Sequence, residues 1–294
     1  MQNKPDLQGL IEALPDIQEI DFCAEGGFKA VYKAKIANTH EALKVIYVPR
    51  EEEDKDIRDE IVARVKREIK SLAICTCPYL VKLGSMQPQL YIIGEHEYII
   101  YTEEFLDGQS LLEMIRAGHR PDLEECKMLF RCLLETIKEL KAMDLIHRDI
   151  KPGNIMNLGK NDRPYVVLDL GVAFKLYSTP ITMHPDMRQG TLPYMAPEMF
   201  NPRFREMLDY RSDLYSAAVT IYEFVSGVHP IARRGEDDFT TMFRITQMKP
   251  VPLIDHRPDL PKAFCKMIDG MIRKKPALRP SNIERTLLEM EAIP

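Results

Sequence analysis

The sequence predicts an α+β chain, with strands in its first part and helices in the remainder. Residues 17–48 alternate apolar and polar positions between turn signals and read as three strands, the period-2 pattern of half-buried sheet. Residues 89–111 hold two further strand-like runs. From Leu111 onward the apolar residues fall at helical spacing instead, most clearly Cys126, Phe130, Leu133, Leu134, Ile137 and Leu140. A length of 294 residues suits two domains or one large two-part domain, and 45% hydrophobic residues allow a substantial core.

Composition narrows the function classes. A net charge of −5 gives no general basic footprint, so nucleic acid is not an expected partner. Met1 is followed by polar residues and Pro5, so no signal peptide is expected. The longest apolar run, near Ala217–Val225, contains Thr220 and Glu223 and is too short and too polar to span a bilayer. The six cysteines, Cys23, Cys75, Cys77, Cys126, Cys132 and Cys265, match neither a zinc site nor a secreted disulfide framework. Cys75 and Cys77 leave a redox pair open beside the plainer reading of buried reduced thiols. A cytoplasmic setting follows. Oligomeric state has no signature in the chain.

Residues 1–16 read as a lead-in. The first strand turn falls in AEGGFKAV, residues 24–31, which is also an ordinary hairpin turn. Lys44 stands between Leu43 and Val45 in the run EALKVIYV; in isolation it also reads as an edge lysine that discourages sheet pairing. Glu51–Asp54 suit a helix N-terminus, and Ile61, Val65, Ile69 and Leu72 follow at helical spacing. Glu68 falls on that inward stripe, where a carboxylate needs a cation, and Lys44 is the candidate. Asp122 with Glu125 reads as a capping-box-like start of the long helix. Ile155–Leu158 and Tyr165–Leu168 read as a small hairpin around Gly159 and Asn161.

Between the long helix and that hairpin lies HRDIKPGN, residues 147–154, which puts Asp149, Lys151 and Asn154 within six residues. The spacing fits an extended loop that aims three polar side chains at one point. DLG at 169–171, GTLPYM with Thr191, and APE at Ala196–Glu198 follow in order. Together these resemble protein kinases, in the form used by the serine/threonine branch. Tyr215 and the stretch EEFLDGQSL resemble bacterial members.

The resemblance implies a bilobal protein-kinase fold. A small antiparallel β-sheet N-lobe with one helix would span 17–104, and a larger α-helical C-lobe 105–294, with a single kinase domain over 17–290 and an ATP cleft between the lobes. With SNIERTLLEMEAI as the last helix, no sensor or docking domain is expected after it. Asp149 would be the catalytic base and Lys151 would steady the transferred group. Lys44 and Glu68 would form the ion pair of the active lobe, and Asn154 and Asp169 would hold Mg2+. Ala24, Gly26, Gly27 and Val31 would lie over the nucleotide, with Ala24 and Lys29 replacing the outer glycines of the family's loop. Ala42 and Met156 would flank adenine, and Glu104 and Leu106 would meet it through their backbone. Thr191 would bond Asp149 and Lys151, Glu198 would pair with Arg279, and Asp213 would tie its helix to the catalytic loop. Arg148 could receive a phosphate on Ser178, Thr179 or Thr182.

Glu103 departs from the family, which usually has an apolar residue or Thr behind adenine. Either Glu103 lies there near Lys44, or the alignment slips by one residue and Thr102 does. The expected activity is transfer of the ATP γ-phosphate to Ser/Thr hydroxyls of protein substrates. Two alternatives are a pseudokinase scaffold that binds ATP without turnover and a small-molecule kinase on a related fold. The intact set Lys44, Glu68, Asp149, Asn154 and Asp169 argues against the first, and APE, Thr191 and Arg148 against the second.

Overall fold

The computed structural model describes residues 4–26, 29–170, 174–175, 191–201, 203 and 208–294. They fall into two compact units, Met1–Ile74 with Val81–Asp107, and Cys75–Leu80 with Gly108–Pro294.

The first unit is built on one antiparallel sheet. Its strands are β1 (Gln18–Gly26), β2 (Lys29–Ile36), β3 (Thr39–Val48), β4 (Gln89–Ile93) and β5 (His96–Glu104), in the spatial order β1-β2-β3-β5-β4. Ala37 and Asn38 both take positive φ, 45° and 72°, which lets a two-residue turn follow the sheet twist between β2 and β3. The two faces bury different partners. Ala30, Tyr32, Ala34, Leu43, Val45, Tyr98 and Ile100 form one apolar layer, and Leu10 and Leu14 pack into it. Leu10 belongs to a helix, α1 (Leu7–Ala13), whose N-cap Asp6 accepts the Gly9 N–H at 2.8 Å. The expected lead-in is therefore an integral layer of the unit. Its signal was present in the capping Asp6 and the i,i+4 pair Leu10 and Leu14.

The other face carries Ile46, Val48, Ile99 and Tyr101 against Ile61 and Val65 of α2 (Glu51–Ile74). The acids at its start do not form one straight helical turn. Asp54 is non-helical (φ −162°, ψ 95°), and its Oδ1 accepts the Ile57 N–H at 3.0 Å. An Asp that caps the turn after it competes with continuous helix, so α2 kinks there.

In the second unit α4 (Leu123–Ala142) and α5 (Arg211–Ser226) form the packed centre. Asp122 caps α4 by accepting the Glu125 N–H at 2.8 Å. The Glu125 carboxylate accepts the Tyr165 hydroxyl at 3.0 Å and meets the His119 ring, so it serves a neighbouring strand as well as its helix. Helix α5 is buried along almost its whole length. Some of its hydroxyls are satisfied inside it: Thr220 donates to the Ser216 carbonyl at 2.8 Å and Ser226 to the Tyr222 carbonyl at 2.7 Å. The helix α3 (Leu111–Arg116) follows the short strand β6 (Gln109–Ser110) and is closed by a reciprocal capping box between Ser110 and Glu113. β7 (Leu145–Ile146) leads into the HRDIKPGN loop and pairs with β10 (Phe174–Lys175). The expected hairpin forms as β8 (Ile155–Asn157) and β9 (Tyr165–Val167), with Met156 opposite Val166. The helices α6 (Asp238–Gln247), α7 (Leu253–His256), α8 (Lys262–Met271) and α9 (Ile283–Glu291) complete the unit.

Among the described residues no helix is long and apolar enough to cross a membrane. All six thiols are free. Burial pushes Cys75 up to about 12, and the Glu139 carboxylate beside it adds to that. A thiol so hard to ionise does not suit a redox pair.

Candidate active site

In the second unit three side chains meet on one carboxylate. Asp149 Oδ2 accepts from Lys151 Nζ at 2.7 Å and from Asn154 Nδ2 at 2.9 Å. Asp149 Oδ1 accepts from the Thr191 backbone N–H and from its hydroxyl, each at 2.9 Å. That hydroxyl in turn accepts from Lys151 Nζ at 2.5 Å. Thr191 therefore sits between the Asp149 carboxylate and the Lys151 ammonium, donating to one and accepting from the other. Asn154 also donates to the Asp149 carbonyl at 2.9 Å. With its amide nitrogen committed to Asp149, its oxygen faces the other way, as a hard donor for a cation. The Asn154 carbonyl receives the Leu168 N–H at 2.8 Å, which fixes the strand that delivers Asp169. The residues thus fit magnesium in donor type.

The loop is held from beneath. Asp213, fully buried on α5, accepts the His147 N–H at 2.7 Å and the Arg148 N–H at 2.9 Å. Burial pushes its carboxyl above the ordinary range, opposed by His147, Arg148 and those two donors. Arg148 and Asp169 both take positive φ, 71° and 66°, a conformation that a non-glycine residue keeps only when its surroundings impose it. The His147 ring approaches the Leu168 carbonyl at 3.2 Å and receives the Asp149 N–H at 3.3 Å. It joins the two chain segments that carry Asp149 and Asp169. The sequence signals this part only through the place of His147 two residues before Asp149.

Glu198 and Arg279 form a bidentate pair, at 2.6 and 2.8 Å, both buried. Arg279 also donates to the Arg211 and Arg273 carbonyls, each at 2.8 Å. The chain after Thr191 is thereby tied to the far end of the same unit.

In the first unit Lys44 and Glu103 are both buried, and Lys44 Nζ lies 2.9 Å from Glu103 Oε2. Strand register explains the meeting. Lys44 stands opposite Tyr101 and Ala42 opposite Glu103, so Lys44 and Glu103 are diagonal neighbours on one face. Val31 pairs with Lys44 on the adjoining strand and shares that face. Thr102 points the other way: its Oγ1 accepts the Met86 N–H at 3.0 Å beside Glu41. A Cβ on Gly84 would collide with both the Glu41 carboxylate and the Thr102 hydroxyl, so only glycine fits there. Glu103, and not Thr102, therefore shares the face of Lys44.

Glu68 is also buried, on α2. Glu104 donates its N–H to the Lys82 carbonyl at 2.9 Å, and its carboxylate takes the Lys82 N–H at 2.8 Å. Leu106 and Met156 are half-buried. Ala24 pairs with Val31 and Gly26 with Lys29 across β1 and β2. Gly27 lies outside the described residues, as do Ser178, Thr179 and Thr182.

The chain matches the protein kinase domain family over residues 18–290. It is 27% identical over 271 residues to a probable serine/threonine-protein kinase of Clostridium perfringens, across 92% of this chain and 37% of that protein. It is 30% identical over 210 residues to the probable serine/threonine-protein kinase PknB of Bifidobacterium longum, across 70% of this chain and 29% of that one. Against the serine/threonine-protein kinase pkn3 of Myxococcus xanthus the identity is 28% over 276 residues, 92% of this chain and 48% of the other. The chain therefore spans less than half the length of these relatives. With the match running through both units, the chain belongs to the protein kinase domain family and is similar to its bacterial serine/threonine members.

Proposed function

We propose that the chain is an active ATP- and magnesium-dependent protein serine/threonine kinase, with one catalytic domain over 17–290. The observation that carries this is the convergence of Lys151, Asn154 and Thr191 on Asp149. Asp149 takes the proton of the substrate hydroxyl as the hydroxyl oxygen bonds to the γ-phosphorus of ATP and the bond from that phosphorus to the β-phosphate oxygen breaks, releasing ADP. Its fixed orientation means no rearrangement is needed at that moment. Lys151 keeps positive charge beside the transferred group. Lys44 engages the first phosphates of ATP. Asn154 and Asp169 would hold magnesium, which would supply neutralisation of the phosphate charge. The cysteine spacing, which matches no secreted disulfide framework, supports a reducing compartment, the cytoplasm.

The second reading is a scaffold that binds ATP without turnover. The pairing of Lys44 with Glu103 favours it, because that lysine is already occupied. The discriminating experiment is incubation with labelled ATP, magnesium and a generic Ser/Thr protein substrate such as casein. Transfer is expected, with Asp149→Asn lowering it on the order of 10² to 10⁴-fold at little change in ATP affinity. Nucleotide binding with no transfer to the chain or to any substrate would leave the scaffold reading standing instead.

A further inference from the structure

We infer that Glu103 is an internal counter-ion that occupies Lys44 in the free protein and must give the lysine up when nucleotide binds, so that it sets the nucleotide affinity of the site. The inference rests on the reading of Lys44 as the phosphate-binding lysine.

Lys44 is 4% exposed and Glu103 2% exposed, and their charged atoms are 2.9 Å apart. The pair is asymmetric. Glu103 Oε2 meets the ammonium, while Oε1 is buried with no hydrogen-bond partner. A buried carboxylate is ordinarily satisfied at both oxygens. Here the lysine is the group that compensates its charge, and nothing else on Glu103 takes over if the lysine moves.

The surroundings add a second carboxylate. The stripe of α2 that carries Glu68 packs on the same sheet face, through Ile61 and Val65 against Ile46 and Tyr101. Glu68 is itself 4% exposed. This region of the first unit thus holds two buried carboxylates and the ammonium of Lys44. Phosphate oxygens entering as a further anion compete with Glu103 for Lys44, and the released carboxylate is left in a dry position. That penalty is charged to nucleotide binding. An apolar or amide side chain at 103 removes it. Thr102 cannot take this part, because its hydroxyl is committed on the opposite face.

A carboxylate could also weaken binding by repelling phosphates through space, without involving the lysine. A double-mutant cycle separates the two. Calorimetry of MgADP binding would compare the wild type, Glu103→Gln, Lys44→Met and the double variant, each checked for folding by thermal melting. Glu103→Met serves as a second, apolar replacement if the buried amide is not tolerated. In the presence of Lys44, loss of the carboxylate should tighten MgADP on the order of tenfold. In the Lys44→Met background the same change should move affinity by less than about twofold. An independent readout needs no nucleotide: labelling of Lys44 by an amine-acylating reagent, followed by mass spectrometry, should be faster in Glu103→Gln than in the wild type. Equal tightening with and without Lys44 would overturn the counter-ion role, and so would unchanged affinity in both Glu103 variants. A folded wild type that binds no nucleotide would instead remove the kinase reading on which the inference stands.

Discussion

Thr191 is the residue on which the site's arrangement turns. Its hydroxyl donates to Asp149 and accepts from Lys151, and its N–H holds the same carboxylate oxygen. Thr191→Val keeps the shape and the backbone bond but removes the hydroxyl, leaving Lys151 and Asp149 to find each other unaided. Phosphotransfer should fall about 10- to 100-fold, in kcat more than in the KM for ATP, and Thr191→Ser should restore most of it. A Thr191→Val enzyme with wild-type kcat would show that the hydroxyl is dispensable. Spacing made Asp149, Lys151 and Asn154 legible, because they lie close together on one loop. The sequence leaves the meeting of Lys44 with Glu103 open, because a one-residue shift in strand register turns a side chain to the other face. Hydrogen bonds from Gly84 and Met86 to Thr102 fix that register, and no sequence rule places those loop residues.

At the scale of elements, the second unit is stitched by polar groups more than its apolar pattern suggests. Asp213 on α5 holds the turn that presents Asp149, and Arg279 holds Glu198. Glu198 and Arg279 are both buried, so removing one partner strands a charge, whereas removing both does not. Arg279→Met should destabilise the protein by about 3–5 kcal/mol, and adding Glu198→Met should recover part of that loss. Denaturant melts of the two single variants and the double variant measure this; strictly additive losses would mean that the pair is not coupled. The helix α1 illustrates the opposite balance. Leu10 and Leu14 pack into the sheet, but seven residues of helix are too few to stand out against a polar terminus.

For the whole molecule, one histidine gives stability a defined pH slope. The His229 ring, between α5 and α6, accepts the Ile231 N–H at 3.1 Å and the Ala232 N–H at 2.8 Å on Nδ1, and packs edge-on to Tyr194. Burial lowers its pKa from 6.5 to about 4. Between those values the unfolded chain binds the proton and the folded one does not, so stability is complete above pH 6.5 and is lost as pH falls towards 4. The loss should be on the order of 1–2 kcal/mol after allowing for partial exposure, and His229→Asn, whose side-chain oxygen can accept the same N–H groups, should flatten the slope. Melting curves at pH 7 and pH 5 for both proteins test it. The apolar periods and motif order already specified the strand-rich part, the helical part and the loop bearing Asp149, because each is local in the chain. Tertiary structure decided what depends on contacts between distant residues: that α1 completes the first unit, that Glu125 serves Tyr165, and that Lys44 rests on Glu103. Side-chain partners of this kind follow from strand register and burial, which emerge only when the elements are packed together.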